Sequence, residues 1–168
     1  MANRAVLHLI CGQAGSGKTT YAKQLEKQLN AFRFSKDEWM ISLYGRHITL
    51  DQWSQYEPRC YACIETIVRR LLEREISVIL DYGFWYRHER ARAKDLADEL
   101  GVRSIVHFLN VPVEVRRERV LSRNKSIADD SVVISEDEFD KQVSWFEVPS
   151  EHEGIAIKSI DTLEGIKI

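Results

Sequence analysis

No apolar run in this chain approaches the roughly 20 residues that a membrane-spanning helix needs, and the N-terminus carries no signal-peptide pattern. A membrane partner is therefore not expected, and the sequence reads as that of a cytoplasmic protein. Cysteine is scarce and odd in number, three in all. Cys11 falls in an apolar segment, while Cys60 and Cys63 form C-x-x-C inside a long helical pattern rather than at a redox turn. No second Cys or Cys/His pair stands at zinc-site spacing, so these read as small, partly buried helix residues. An excess of one charge is also missing. The 24 Lys+Arg against 26 Asp+Glu give a formal net charge of −2, which does not indicate a general polyanion-binding surface. Basic residues do gather locally, at Arg87, Arg90, Arg92 and Lys94, and again at Arg116, Arg117, Arg119, Arg123 and Lys125. Repeats, low-complexity segments and Pro/Gly-rich linkers are absent, so residues 1–168 are expected to form one domain.

What the chain does contain is Gly12-Gln13-Ala14-Gly15-Ser16-Gly17-Lys18-Thr19, a gapless match to G-x-x-x-x-G-K-[ST]. It follows the apolar run Ala5–Cys11, which reads as a buried strand. It precedes Tyr21–Leu29, whose apolar positions recur at helical spacing. Strand, glycine loop and helix is the context in which this motif binds phosphate. Gly12, Gly15 and Gly17 permit backbone conformations that bring N–H groups against phosphate oxygens. The helix start adds unpaired donors and a positive dipole end, from Lys18 through Thr20. Lys18 reaches β- and γ-phosphates in such loops, and the hydroxyl at Thr19 ligates Mg²⁺. The expected ligands are thus ATP and Mg²⁺.

Apolar segments alternate with helical patterns along the whole chain. Strands are predicted near residues 5–11, 31–35, 76–81, 104–110 and 155–160. Helices are predicted near 18–30, 36–44, 50–74, 86–100, 112–124 and 136–147. Capping boxes mark three starts, Ser35 with Glu38, Thr49 with Gln52 and Ser135 with Glu138, and Gly101 stands where a helix-ending glycine belongs. This alternation implies an α/β fold, a three-layer α/β/α sandwich around a parallel five-stranded sheet. Ligands of such sheets bind beyond the carboxyl ends of the strands, which singles out the residues just after each strand.

After the second strand, Asp37 stands in the first turn of a capped helix, where the dipole favours an anion. It reads either as a base that takes the proton of an acceptor hydroxyl or as a helix-start residue that serves only the dipole. After the third, Val78-Ile79-Leu80-Asp81 is a Walker-B-like run whose carboxylate can hold Mg²⁺ beside Thr19; alone, such a run is common. The aromatic stretch Tyr82-Gly83-Phe84-Trp85-Tyr86 can stack on a substrate ring or close the core. After the fourth, an arginine-rich helix runs to Arg123, followed by a polar stretch that reads as a lid near residues 123–135 or as an ordinary surface loop.

On these residues the chain resembles the small P-loop kinases around bacteriophage polynucleotide kinase, chloramphenicol phosphotransferase and zeta toxin, often described as an AAA-type domain. The likeness covers nearly the whole chain. It rests on Gly12–Thr19, Phe34-Ser35-Lys36-Asp37-Glu38-Trp39, Val78–Asp81, Arg87-His88-Glu89-Arg90 and Asn110-Val111-Pro112 leading to Leu121-Ser122-Arg123-Asn124. The resemblance implies a P-loop NTPase fold of the nucleoside-kinase and shikimate-kinase kind, with Asp37 as general base. It also implies that Arg123 belongs to the lid and that Phe146-Glu147-Val148-Pro149 lies near the adenine. Two positions depart from the family pattern. The Arg that polynucleotide kinase carries three residues beyond its base is Met40 here, and its lid Arg aligns with Ile127. A nucleic-acid acceptor is accordingly not expected. Trp39, Trp53, Trp85 and Tyr86 point instead to a small acceptor with a flat or sugar-like surface, although all four can equally be core.

The reading is an ATP-dependent kinase acting on a hydroxyl of a small molecule, as a monomer or homodimer. Lys18, Asp37 and Arg123 are its catalytic residues, and Thr19 and Asp81 its metal side. A nucleotide-binding ATPase or regulatory module and a nucleic-acid-end kinase are the alternatives.

Overall fold

The computed structural model describes residues 5–45, 49–125 and 134–162. Strand β1 (Val6–Cys11) is buried at every position, the pattern of a central strand covered on both faces. It pairs in parallel with β3 (Val78–Gly83) on one side and β4 (Arg103–Leu109) on the other. Strand β2 (Phe32–Ser35) lies outside β3 and β5 (Ala156–Ile160) outside β4, which makes the order β2-β3-β1-β4-β5 with every pair parallel. Helices α1 (Lys18–Leu29), α2 (Lys36–Tyr44), α3 (Leu50–Glu73), α4 (Arg87–Glu99), α5 (Val113–Lys125) and α6 (Glu136–Trp145) intervene, with a short 3-10 turn at Glu151–Glu153. The expected five-stranded parallel α/β architecture is the one observed.

Strand periodicity divides the core in two. Leu7, Leu9 and Cys11 of β1 face the layer of α3 and α4, together with Phe34, Leu80 and Val106. The residues of α3 that meet them, Cys60, Ile64, Val68 and Leu72, recur every fourth position and so form one stripe. Burying Ile64, Val68 and Leu72 contributes roughly 5–9 kcal/mol before ordering entropy is subtracted. Ile10, Ile79, Leu109 and Ile160 turn to the opposite face, where Tyr21, Ala22 and Leu25 of α1 cover them. Among the described residues no helix is long and apolar enough to cross a membrane.

Element ends follow the local chemistry, with two departures from the sequence reading. The boxes at Thr49/Gln52 and Ser135/Glu138 close in both directions. At the start of α2 only half a box forms. Ser35 Oγ accepts from the Glu38 amide at 3.4 Å, but the Glu38 carboxylate turns to the Arg33 guanidinium, with contacts of 2.9 and 3.1 Å. A forked, charge-assisted pair outcompetes a single bond to a neutral amide. Strand β3 also runs two residues past Asp81, which therefore sits inside the sheet opposite Ser35 instead of at the strand's last position. Gly101 (φ 64°) ends α4 as its position predicted. Of the expected lid, residues 126–133, Ile127 among them, lie outside the described residues. Its base is described: Asn124 Nδ2 donates to the Ile134 carbonyl at 2.7 Å, and Asn124 Oδ1 accepts from the Ile134 amide at 3.4 Å.

Candidate active site

The loop between β1 and α1 is held from three sides. The Gly12 amide donates to the Gly83 carbonyl at 3.0 Å, and the Gly12 carbonyl accepts from the Trp85 indole at 3.0 Å. The Gln13 amide group donates to the carbonyls of Gln142 at 3.0 Å and Val143 at 3.4 Å, near the end of α6. On the third side is α5. A Cβ at Gly15 would stand 2.5 Å from the Arg116 carbonyl oxygen, and Gly15 has φ 79° besides. Glycine is required there for close approach as much as for the turn. Gly17 caps α1 in a left-handed conformation (φ 89°), so the chain enters the helix abruptly and the first-turn amides of Lys18, Thr19 and Thr20 head the macrodipole. Ala14 is half-buried, and Thr19 and Thr20 are exposed at the mouth.

Two groups of the loop stand in want of an anion. Lys18 folds back so that its ammonium donates to the Gln13 carbonyl at 2.8 Å. Ser16 Oγ is buried without a hydrogen-bond partner among the described residues. Burial pulls the Lys18 ammonium below the ordinary lysine range, opposed by the carboxylates of Asp81 and Asp37 and reinforced by the positive charge of Arg123. Asp37, Asp81 and Arg123, from three different elements, thus each act electrostatically on Lys18.

Asp81 has a partner that sequence reasoning missed. Arg33, one strand away on β2, directs Nε (3.2 Å) and Nη2 (2.9 Å) at Asp81 Oδ2, while Nη1 and Nη2 also donate to Glu38. The Arg33 and Asp81 side chains are 5% and 3% exposed, so this is a buried ion pair. Burial pushes the Asp81 carboxyl up, against the pull of Arg33 and Lys18. Burial works against charge on Arg33 as well, but the hydrogen bond and charge of Glu38 and Asp81 more than offset it. A signal was present: in Phe32-Arg33-Phe34 the arginine occupies the strand face opposite two aromatics, a charged position that needs a buried counter-ion. Among the described residues only Oδ2 of Asp81 accepts hydrogen bonds. A hydroxyl at the open mouth and a carboxylate oxygen left without a donor suit Mg²⁺, which takes few protein ligands and completes its shell with phosphate oxygens and water. The donor set fits that ion.

The aromatic stretch after β3 divides its labour. Phe84 is core; its carbonyl accepts from Cys11 Sγ at 3.3 Å and from Arg90 Nη1 at 2.9 Å. Trp85 holds the loop, and its own carbonyl accepts from the Glu147 amide at 2.9 Å. Arg90, counted from sequence among a basic cluster, is fully buried and forked onto Glu153 with two contacts of 2.7 Å. Of the second cluster, Arg116 is buried with Nε on the Val111 carbonyl, and Arg119 bridges the Gly15 and Thr162 carbonyls. Phe146 stacks on Phe108, Val148 is 64% exposed and Pro149 is buried. Trp39 and Trp53 pack at the core margin. Behind α1, Tyr21 Oη, His107 and His8 form a buried chain with contacts of 2.7 and 2.9 Å. Periodicity placed those histidines in apolar strands and gave no sign of their pairing.

A parallel sheet with β1 at its centre, a glycine loop at its carboxyl edge and a lysine at the following helix start define the class of P-loop kinases and NTPases. The chain belongs to the AAA domain family, whose model matches residues 7–149. Solved structures share the fold at low identity. Kti12 from Chaetomium thermophilum, crystallised with ADP-AlF3, is 24% identical with a TM-score of 0.70, over 91% of this chain and 88% of that one. A gluconokinase from Sinorhizobium meliloti is 14% identical with a TM-score of 0.60, over 97% and 85%. A chain of the Pnkp1/Rnl/Hen1 RNA repair complex is 19% identical with a TM-score of 0.69, over 86% of this chain and 45% of that one. No curated protein matches the chain in sequence.

Proposed function

We propose that this protein is a cytoplasmic, ATP- and Mg²⁺-dependent phosphotransferase that moves a γ-phosphate onto the hydroxyl of a small molecule. The observation that supports the reading is the glycine loop at the carboxyl edge of β1, where Lys18 folds back onto the Gln13 carbonyl and Ser16 Oγ is buried without a hydrogen-bond partner among the described residues. The loop amides and Lys18 bind the β- and γ-phosphates, and Lys18 exchanges its bond to the Gln13 carbonyl for phosphate oxygens. Asp37 accepts the proton of the acceptor hydroxyl as that oxygen bonds to the γ-phosphorus. The bond from phosphorus to the β,γ-bridging oxygen breaks, and ADP leaves with the electron pair. Arg123, from the last turn of α5, stabilises the charge spread over the transferring group. Thr19 and Asp81 would hold Mg²⁺, which supplies charge neutralisation between the β- and γ-phosphates.

A small acceptor is favoured over a nucleic-acid end by Met40. The residue that replaces the family's phosphate-binding arginine is fully buried in the core and presents nothing to a polynucleotide. The test is Asp37→Asn, assayed for ADP release over a panel of hydroxylated metabolites, nucleosides and aminoglycosides. Acceptor-dependent release should fall by roughly 10²–10⁴-fold while the ATP Kd changes less than about twofold. Unchanged turnover removes Asp37 from the mechanism. ADP release that no acceptor accelerates turns the reading to a nucleotide-hydrolysing regulatory module.

A further inference from the structure

Four elements meet at Arg33, which stands on β2 with its side chain 5% exposed. Nε and Nη2 donate to Asp81 Oδ2 of β3 at 3.2 and 2.9 Å. Nη1 and Nη2 donate to the Glu38 carboxylate of α2 at 3.1 and 2.9 Å. The Arg33 backbone amide donates to Glu26 Oε1 of α1 at 3.1 Å, and Glu38 also pairs with Lys23 of α1 at 3.6 Å. All three nitrogens of the guanidinium are therefore committed to carboxylates. A planar fork held at every nitrogen is a rigid spacer between two anions, which a flexible ammonium is not.

Two features give this spacing a role beyond stability. Glu38 directly follows Asp37, so the carboxylate that Arg33 grips belongs to the helix turn that carries Asp37. That grip replaces the return bond by which Gln52 and Glu138 close their own capping boxes. The first turn of α2 is tied to β3 instead of to its own cap. Asp37 and Asp81 also act on one another: burial chiefly, and the Asp37 charge in smaller part, push the Asp81 carboxyl up. Carboxylates this near repel, and a fixed cation joined to both segments offsets the repulsion. Stability alone does not account for the pair, since well-packed apolar residues commonly replace a buried ion pair at no cost.

We infer that Arg33 is a positioning residue for phosphotransfer: by spanning Glu38 and Asp81 it sets where the first turn of α2, and Asp37 on it, stands relative to the Asp81 carboxylate. This rests on the phosphotransfer reading above, in which Asp37 takes the proton of the acceptor hydroxyl. Arg33 acts through the two carboxylates and not on the reacting atoms. A displacement of about 1 Å at a reacting group costs on the order of 10²-fold in rate, so a loosened tie is read mainly in turnover.

The test uses the intact chain. Glu38→Ala removes one arm at a side chain 45% exposed and spares the buried Arg33–Asp81 pair, so folding is retained. Arg33→Lys keeps a cation beside Asp81 but has one nitrogen and cannot span to Glu38. Without nucleotide, backbone NMR of Arg33→Lys should show the amides of Asp37 to Met40 shifted and those of α5 unmoved. Unshifted α2 amides overturn the tie. For each variant, kcat of acceptor-dependent ADP release should fall about tenfold or more, with the ATP Kd within about twofold. In an Asp37→Asn background neither variant should lower release further, because the tie acts through Asp37. A further tenfold fall there assigns Arg33 a general structural role and overturns the inference. Release that Asp37→Asn lowers but neither variant changes also overturns it, and leaves phosphotransfer standing. Release that no acceptor accelerates, or that Asp37→Asn leaves unchanged, overturns the phosphotransfer reading and the positioning role with it. Amide shifts then mark a purely structural tie.

Discussion

Glu153→Gln tests the energetic centre of the wall behind the site. In the native chain the Arg90 and Glu153 side chains are 1% and 6% exposed and share two contacts of 2.7 Å, and Arg90 also donates to the Phe84 carbonyl at 2.9 Å. The glutamine keeps the shape and one acceptor but removes the charge, so a guanidinium remains in a nearly dry site without its counter-ion. Breaking a buried pair from one side costs about 3–5 kcal/mol, and the retained acceptor places this change near the low end, about 3 kcal/mol. For a domain of this length that corresponds to a fall in Tm of roughly 6–12 °C, a large part of a typical stability. Urea unfolding followed by circular dichroism reads it as a lower midpoint at unchanged slope. Replacing both partners, Arg90→Met with Glu153→Met, should recover stability to within about 1 kcal/mol of wild type. The pH dependence gives a second check. Burial raises the Glu153 carboxyl, but the hydrogen bonds and charge of Arg90 hold it below the ordinary 4.5. Its contribution is therefore complete above pH 4.5 and fades as pH falls through the lower folded value, so wild type and variant should converge in acid. A loss under about 1 kcal/mol at pH 7, or a double variant as poor as the sum of the single ones, would refute the reasoning.

Gly15→Ala drives a Cβ against the Arg116 carbonyl at a φ of 79°; ATP binding measured by calorimetry should weaken more than tenfold, with far-ultraviolet circular dichroism unchanged. Trp85→Phe keeps the ring but deletes the indole bond to Gly12, and should weaken ATP by about three- to tenfold, one neutral hydrogen bond's worth. Burial, with help from nearby positive charges, lowers His8 to about 4 and His107 to about 3. Folding therefore favours their neutral forms, and stability is complete above an unfolded pKa near 6.5 and declines as pH falls below it. Unfolding free energy should drop by about 2–4 kcal/mol from pH 7 to pH 5, and His8→Asn should remove about half of that dependence.

The fold and the glycine loop were largely legible because both are local. Hydrophobic period and capping residues located every strand and helix to within a few residues, and the loop motif carries its own context. Asp37 and Arg123 fall at the helix ends where the sequence put them, Asp37 in the first turn of α2 and Arg123 in the last turn of α5. Partnerships between strands were not. Whether Arg33 reaches Asp81 depends on β2 lying beside β3 in one register, which is a property of the sheet and not of either segment. The half-formed box at Ser35 failed for the same reason, since its glutamate had a stronger partner two residues before the cap. Burial of Arg90 likewise depends on Glu153, 63 residues further along the chain. A basic helix start gave no warning that one of its arginines points inward.

Trp85 is one of four tryptophans, and its indole N–H is bonded to the carbonyl of the first glycine in the phosphate loop. Its backbone carbonyl meanwhile holds Glu147, just past the helix whose carbonyls Gln13 grips. The chain thus carries its own optical gauge. A chromophore is bonded to the glycine loop at one end and to the exit of α6 at the other, so in a variant that keeps Trp85 as its one tryptophan the emission should change when a nucleotide occupies the loop. An unchanged emission on adding nucleotide would show that the indole bond to Gly12 does not sense the loop's occupancy.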